Sequence, residues 1–136
     1  MQEIIKVSGL EIHLNWPVIP DEIQQIAMDL WREHNALPPG LKAEDRAKQV
    51  VGLVKDEDTG LPLAIATVQQ EYMDWAGQDL FIYRNFSIAN TRLSHNTVEL
   101  ILSTFDFLSR VAGSSAAGLY MEIENRAVMQ HKNDGI

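Results

Sequence analysis

The sequence contains no cysteine, and this absence excludes several chemistries at once. Disulfide bonds, catalytic thiols and zinc sites built from cysteine thiolates all require that residue. The histidines also lack the i, i+4 spacing of a metal-binding pair on a helix. They are His13, His34, His95 and His131. The sequence therefore predicts no metal site and no thiol nucleophile.

Long apolar runs and clusters of basic residues are also absent. No stretch reaches the ~18 consecutive apolar residues of a membrane span, and residues 1–16 lack the basic region and apolar block of a secretory signal. The formal net charge is −8, which is unfavourable for contact with a phosphate backbone. We therefore expect a cytoplasmic protein with neither a membrane nor a nucleic acid as partner. The acidic balance is typical of a soluble surface, although it would also suit a cationic small substrate.

The composition is that of an ordinary folded protein. The chain has 136 residues, of which 46% are hydrophobic and 22% charged, enough for one domain with a real core. No repeat, low-complexity tract or long linker interrupts the sequence. We therefore expect a single domain over residues 1–136.

The first 48 residues contain a segment of alternating polar and apolar residues, followed by one amphipathic stretch. Residues 2–16 alternate well enough for one or two short strands. Residues 20–34 predict a helix with its apolar residues on one stripe, and Asp21 followed by Gln24 matches a capping box. Residues 41–48 form a polar, helical connector to the next part of the chain.

Three β-like runs follow, and then the period of the pattern changes. Residues 49–55, 61–73 and 80–88 are joined by short turns, so neighbouring strands should run antiparallel. Residues 96–112 repeat their apolar positions with the period of a helix, and a buried strand follows at 118–124. A strand, a helix and a strand of these lengths imply a crossover between parallel strands. The sequence thus predicts a mixed α/β fold, in which an antiparallel meander precedes a parallel strand-helix-strand crossover.

Two segments of the chain are similar to those of a known family. Arg92-Leu93-Ser94-His95-Asn96-Thr97 stands between a strand and a helix, where that family has the turn Arg/Gln-x-x-Gly-x-Gly/Ala. The run NRAVMQHKNDGI has a helical pattern and carries Arg126-Ala127, then His131 in the place of a tyrosine, then Gly135-Ile136 in the place of Gly-Phe. With the order of strands and helices, these segments resemble the GNAT family of acetyl-CoA-dependent N-acyltransferases.

The resemblance implies that acetyl-CoA, or another coenzyme A thioester, is the cofactor. In the family, main-chain N–H groups of the turn hold the pyrophosphate at the positive end of a helix. His95 and Thr97 stand where glycines are usual, so the close approach that glycine allows is lost while the amides remain. Arg92 would add positive charge, and Ser94, Asn96 and Thr97 would add polar groups. An ordinary capped helix is the alternative interpretation of this turn.

The resemblance also implies which residues meet the thioester. Phe86, Ser87 and Ile88 fall where main-chain groups of the family pair with the pantetheine arm, and where a bulge helps to polarise the thioester carbonyl. Recognition through the backbone leaves almost no mark on the side chains. These three residues are therefore placed by the resemblance alone.

Acyl transfer needs a proton acceptor for the amine and a proton donor for the departing thiolate. His131 stands at the position of the family's tyrosine acid and titrates near neutrality, so it is the expected general acid; a surface histidine is the alternative. Glu122 and Glu124 share one face of the strand 118–124 by alternation. They are expected to bind a cationic acceptor or to relay a proton, unless they lie in solvent. Weaker candidates are Glu71, Tyr72 and Tyr83.

The family pattern continues beyond Gly-Phe with two further strands, whereas this sequence ends at Ile136. We therefore expect the last two strands to be absent, and the exposed sheet edge to favour a homo-oligomer. The leading hypothesis is transfer of an acyl group from acyl-CoA to an amine of a small molecule or a protein. The alternative is a catalytically inactive GNAT-like module for ligand binding or assembly. A third, an acyl-homoserine-lactone-type synthase of the same fold, is disfavoured by the short chain.

Overall fold

A computed structural model describes residues 1–88, 95–111 and 119–121 of the chain. These residues build one sheet with helices on both faces. In chain order the elements are β1 (Gln2–Val7), β2 (Leu10–Asn15), α1 (Asp21–His34), α2 (Ala43–Ala47), β3 (Val50–Asp56), β4 (Pro62–Met73), β5 (Gln78–Ser87), α3 (His95–Val111) and β6 (Leu119–Met121). None of the helices in these segments is long and apolar enough to cross a membrane.

Strands that follow one another in sequence are neighbours in the sheet, whose order is β1-β2-β3-β4-β5-β6. Each pair from β1 to β5 is antiparallel. β6 lies parallel to β5, with Phe81 opposite Leu119 and Tyr83 opposite Met121, and α3 connects the two strands. The predicted meander and parallel crossover are confirmed. Residues 122–136, on which the expectation of two missing strands depends, lie outside the described residues.

Two turns of the meander use residues with a left-handed backbone. Ser8 (φ 51°) and Gly9 (φ 80°) join β1 to β2, and positive φ at both residues matches the twist of a two-residue hairpin. In the turn between β3 and β4, Gly60 has a φ of 74°, which disfavours any side chain. The carboxylate of Asp56 at this turn accepts hydrogen bonds from main-chain N–H groups of the next residues. These turns fix how the strands pair.

Helix α1 begins without the capping box that the sequence predicts. Pro20 is the N-cap, with no side-chain hydrogen bond, and Asp21 is the first helical residue. Proline suits this place because its φ of −57° is compatible with the helix and no N–H is needed there. Gln24 instead donates through Nε2 to the carbonyl of Ile19 at 2.9 Å. The helix ends at Asn35, whose left-handed backbone (φ 49°) stops it before the two prolines that follow.

Helix α3 covers one face of the sheet, over β2, β3 and β4. The buried cluster on this face is almost wholly apolar. Its bulkiest fully buried members are Tyr83, Phe107, Ile12, Leu14 and Leu100. A Cβ atom on Gly52 would lie 2.8 Å from Leu100 Cδ1, so glycine is required for the helix to approach the strand this closely. Trp16 packs on this face as well, edge-on to Phe81 with the ring centroids 5.3 Å apart.

Helices α1 and α2 cover the opposite face with a second apolar cluster. Its buried members are Ile19, Ile23, Ala27, Leu30, Trp31, Ala47, Val50, Leu53 and Ile65. Side chains alternate along a strand, so Ile65 and Phe86 face these helices. Their neighbours Ala64 and Ser87 face α3. The end of β5 therefore has a different environment on each of its two faces.

Candidate functional site

The C-terminal end of β5 meets the first turn of α3 through one hydrogen bond. Ser87 Oγ and Thr97 Oγ1 lie 3.0 Å apart, and Ser87 is buried. Ser87 reaches the helix because its side chain alternates with that of Phe86, which packs on the opposite face against the α1 cluster. Two residues that the sequence assigned to the cofactor thus lie together at a helix N-terminus.

The main-chain groups of β5 alternate in direction, and one hydrogen bond shows which way each residue points. Ile88 N–H donates to the carbonyl of Leu63 on the β4 side at 3.1 Å, so Ile88 and Phe86 turn their main-chain groups toward β4. Ser87 therefore turns its N–H and C=O away from β4, to the side on which β6 lies. Of the three residues expected to pair with a pantetheine arm, Ser87 alone has the direction that such pairing requires.

The bulge that the resemblance implies at residues 86–88 is not found in the pairing of β4 with β5. These strands pair in unbroken register from Ala64 opposite Ser87 to Met73 opposite Gln78. The register shifts of the described sheet lie instead between β3 and β4. A bulge requires an extra residue on one strand, and each residue of β5 has its own partner on β4. The expectation of a bulge was therefore wrong.

Several expected site residues fall outside the part of the chain that the structure describes. They are Arg92 and Ser94 of the turn, and Glu122, Glu124 and His131 of the expected catalytic group. His95 and Asn96 are the first two residues of α3, and their backbone alone is described. The roles assigned to these seven residues remain predictions.

The fold separates the weaker candidates for acid–base chemistry from this site. Glu71 and Tyr72 are exposed near the turn between β4 and β5, at the other end of the strands from Ser87. Tyr83 is buried under α3, and burial raises the pKa of its hydroxyl, so Tyr83 stays protonated and belongs to the core. Among residues 1–88, 95–111 and 119–121, no group of three or more His, Asp or Glu is placed to hold a metal ion.

A small cavity lies on the opposite face of the sheet, beside the same end of β5. Its volume is about 20 Å³, which is room for about one water molecule. Thr67 and Arg84 line it from β4 and β5 and stand directly opposite each other in the register. Arg46 reaches it from α2, and Trp31 and Phe86 add aromatic walls. The cavity thus combines apolar surface with four polar residues, the fourth being Asn85 of β5.

Two of the polar residues that line the cavity are buried. Arg46 is 7% exposed and Thr67 is 3% exposed, and arginine is rarely so buried. The hydroxyl of Thr67 has no hydrogen-bond partner among the described residues. Neither residue was predicted from the sequence, since Arg46 lies in a polar connector and Thr67 lies within a strand. No motif or period marks either one, because the signal is their burial alone.

Comparisons with known proteins identify the fold. No family model and no curated protein matches the sequence, but solved structures do. An acetyltransferase from Trypanosoma brucei is 14% identical, with 93% of this chain and 92% of that chain covered and a TM-score of 0.54. The glucosamine-6-phosphate N-acetyltransferase of Arabidopsis thaliana is 9% identical, with 95% and 92% covered and a TM-score of 0.56. The ribosomal-protein-alanine N-acetyltransferase of Brucella melitensis biovar Abortus 2308 is 11% identical, with 95% and 91% covered and a TM-score of 0.56.

The chain has the GNAT acetyltransferase fold. The resemblance drawn from the turn and the C-terminal run is thereby confirmed at the level of the fold. In the GNAT fold of this chain, β5 is the strand that precedes the crossover helix α3. A shared fold does not transfer an activity at identities this low, so the residues of this chain must carry any statement on function.

Proposed function

We propose that the protein is a GNAT-type N-acyltransferase. It binds acetyl-CoA, or another acyl-CoA, and transfers the acyl group to an amine of a small molecule or a protein. The observation that carries the proposal is the contact between the hydroxyls of Ser87 and Thr97, 3.0 Å apart, in a chain with this fold. This contact holds the end of β5 against the start of α3, where a pyrophosphate and a pantetheine arm would lie side by side.

The start of α3 suits an anionic group. The helix has 17 residues, and its first N–H groups have no partner within the helix and lie at the positive end of the dipole. The first turns of α1 and α2 carry acidic residues, whereas the first turn of α3 carries none. A pyrophosphate at this turn would meet no carboxylate from it. Arg92 would add a charge-assisted contact just before the helix.

Ser87 supplies the neighbouring contact in this proposal. Its main-chain N–H and C=O face away from β4, so they would pair with the amides of the pantetheine arm as a neighbouring strand would. Phe86 and Ile88 turn their main-chain groups toward β4, and we assign them a positioning role. The lost glycines of the turn are compatible with this arrangement, because main-chain amides are kept by any residue other than proline.

The chemistry is direct attack of the acceptor amine on the thioester carbonyl. A C–N bond forms, the C–S bond breaks, and the departing thiolate takes a proton. We assign His131 as the acid that donates this proton, because it stands at the tyrosine position of the family pattern. We assign Glu122 and Glu124 to hold the acceptor amine or to remove its proton. These assignments rest on the resemblance.

A transfer assay tests the proposal by following the release of free coenzyme A thiol from acetyl-CoA with a panel of amines. We expect thiol release that depends on the amine. Arg92→Ala should weaken acetyl-CoA binding by about five- to tenfold, because a charge-assisted contact is lost. Arg32→Ala is the matched control, since Arg32 is an exposed arginine on α1, and should leave the affinity unchanged. Absence of both cofactor binding and amine-dependent release would overturn the proposal.

Substitution of His131 tests its assigned role. A general acid typically contributes ~10²–10⁴-fold, so His131→Ala should lower kcat at least about tenfold while acetyl-CoA affinity stays nearly unchanged. His131→Tyr should restore part of the rate and move the alkaline limb of the pH profile upward, because tyrosine loses its proton at higher pH. An alanine variant as fast as the wild type would remove His131 from the mechanism.

A further inference from the structure

Strand β1 forms one edge of the sheet, and β2 is its only neighbour among the described strands. At the open end of this hairpin, Trp16 N–H donates to the carbonyl of Met1 at 3.1 Å. The terminal amino group of Met1 donates in turn to the carbonyl of Trp16 at 2.6 Å. Because main-chain groups alternate in direction along a strand, the odd-numbered residues of β1 pair with β2. The residues that turn their N–H and C=O groups out of the sheet are Gln2, Ile4 and Lys6.

This edge lacks the features that usually keep an edge strand from pairing, which are proline, bulges and several charges. β1 has six residues and no proline, and it pairs with β2 in unbroken register along its whole length. Of its outward-pointing residues, Lys6 alone is charged. Ile4 at the middle is 59% exposed. The edge is therefore regular, uncharged at its centre and able to pair with another strand.

Contacts with α3 hold β1 in place before any partner arrives. Arg110, in the last turn of the helix, donates to both carboxylate oxygens of Glu3, at 2.9 and 3.0 Å. Ile5 and Val7 pack against the apolar cluster beneath the same helix. A strand that is already fixed loses little conformational entropy when it binds, so more of the interaction free energy remains as affinity.

A second copy of β1 fits this edge in antiparallel orientation. When the Ile4 residues of the two copies lie opposite each other, Gln2 of each copy lies opposite Lys6 of the other. Each pair exchanges two main-chain hydrogen bonds, so every outward N–H and C=O group of both strands finds a partner. A shift of two residues in either direction leaves Gln2 or Lys6 without a partner on the other strand.

The side chains are compatible with this register. Like charges directly opposite each other destabilise a strand pair, and here Lys6 meets an uncharged glutamine. Glu3 lies opposite Ile5 of the other copy, so the two Glu3 carboxylates do not face each other. The exposed Ile4 side chains meet at the two-fold axis, where their contact removes apolar surface from water. The edge is thus complementary to itself, as a symmetric interface between two copies requires.

We propose that the protein forms a homodimer in which the β1 strands of two copies pair antiparallel about Ile4. The two sheets then continue into each other, as in recognition by strand addition. This edge is opposite to the one at residues 118–124, through which the sequence predicted a homo-oligomer. Three strands separate β1 from β5, so the dimer leaves the end of β5 open and does not depend on the proposed function.

Single cysteines test the register, because the chain has no cysteine of its own. Ile4→Cys places two thiols opposite each other with Cα atoms about 5.5 Å apart, which suits a disulfide. Lys6→Cys is the matched control, since it is exposed on the same face of the strand but lies about 13 Å along the strands from its copy. We expect mild oxidation to link Ile4→Cys into a dimer and to leave Lys6→Cys almost wholly unlinked. No link at Ile4→Cys, or equal links at both positions, would overturn the proposal.

Sedimentation of the full chain measures association without a covalent link. We expect the wild type to be a dimer at high micromolar concentration. Ile4→Pro removes an N–H group that the pairing with β2 does not use, and should weaken the dimer at least about tenfold, because two symmetric hydrogen bonds are lost. Ile4→Lys keeps the N–H group and places two ammonium groups opposite each other. It should weaken the dimer to a similar extent, and it carries the test if Ile4→Pro does not fold.

A control on α3 distinguishes the strand edge from another exposed apolar surface. Leu102 is 61% exposed on that helix, near the exposed side chains of Val98 and Phe105. Leu102→Lys should leave the dimer unchanged. A dimer that Leu102→Lys disrupts and Ile4→Lys preserves would move the interface to α3 and overturn the proposal. A wild-type chain that stays a monomer at millimolar concentration would overturn it as well.

Discussion

Helix α3 covers its face of the sheet with Leu100, Phe107 and Leu108, whereas α1 and α2 cover the opposite face with Trp31 and the buried side chain of Arg46. The first face is packed so closely that it requires a glycine beneath the helix. The second face surrounds a cavity with polar and charged groups. The two faces therefore differ in how closely they are packed. The α3 face is filled up to the backbone of Gly52, whereas the α1 and α2 face leaves room for about one water molecule beside Thr67.

The largest effect that separates the two faces should come from removing a side chain from the closely packed one. Phe107 is fully buried, so Phe107→Ala should lower the free energy of unfolding by ~3–5 kcal/mol, as truncation of a buried phenylalanine does. Phe105→Ala is the control on the same helix, because Phe105 is 53% exposed, and should cost at most about 1 kcal/mol. The measurement is urea denaturation of both variants. Equal losses would show that Phe107 is not part of a core beneath α3.

A substitution of Gly52 in β3 tests how closely α3 approaches the sheet. A Cβ atom at this position would lie 2.8 Å from Leu100 Cδ1 and 3.3 Å from Thr104 Oγ1. Gly52→Ala should therefore lower the free energy of unfolding by ~1–3 kcal/mol, as overpacking does. Leu100→Ala should cost less in the Gly52→Ala background than in the wild type, because it removes the clash. Additive losses in a double-mutant cycle would contradict the contact.

Two buried threonines compare the faces directly. Thr104 on the α3 face and Thr67 beside the cavity both carry a hydroxyl with no partner among the described residues. Thr104→Val should raise the free energy of unfolding by about 1 kcal/mol, because the cost of an unsatisfied hydroxyl disappears. Thr67→Val should raise the free energy of unfolding by less, because the cavity has room for a water molecule that can bind the Thr67 hydroxyl in the wild type. Denaturant titration in the absence of ligand measures both. Equal gains would show that the cavity is as dry as the other face.

The smallest effect on stability should come from Asp56, which lies at the turn between β3 and β4 and belongs to neither face. N–H groups of Thr59 and Asp58 donate to its carboxylate and hold its pKa below the ordinary value. Its contribution to stability is therefore present above the pKa of the unfolded chain and is lost as the pH falls through the lower pKa of the folded chain. Asp56→Asn should be less stable than the wild type at neutral pH, and the difference should shrink below about pH 4. A difference independent of pH would contradict this account.

The strands and helices could be predicted because each has a local signal. The runs 49–55, 61–73 and 80–88 correspond to β3, β4 and β5 with bounds shifted by two residues or fewer at their starts. The change from a run of β-like residues to a helical period predicted α3. The length of the connection between the strands predicted the parallel crossover. These signals do not depend on tertiary contacts, so the strands and helices could be predicted from local sequence patterns alone.

The candidate site could be predicted only in part. The resemblance assigned Ser87 and Thr97 to the cofactor, and the structure brings them into contact. It also implied a bulge at 86–88, which was wrong, because β4 and β5 pair there in unbroken register. A bulge is a feature of the backbone and leaves almost no mark on the side chains, so the sequence alone could not decide whether one is present. Arg46 and Thr67 could not be found from sequence, because their burial arises only when residues of α2, β4 and β5 meet around one cavity. Burial of a polar group is a property of distant segments, and no local pattern encodes it.

The most direct test of the central claim is a calorimetric titration of the wild-type chain with acetyl-CoA, repeated with acetyl-pantetheine, which lacks the pyrophosphate. We predict heat that saturates at about one equivalent of acetyl-CoA, a raised Tm in its presence, and much weaker binding of acetyl-pantetheine, because the start of α3 binds the pyrophosphate. Absence of both heat and a change in Tm at millimolar acetyl-CoA would contradict the assignment of this protein as an acyltransferase.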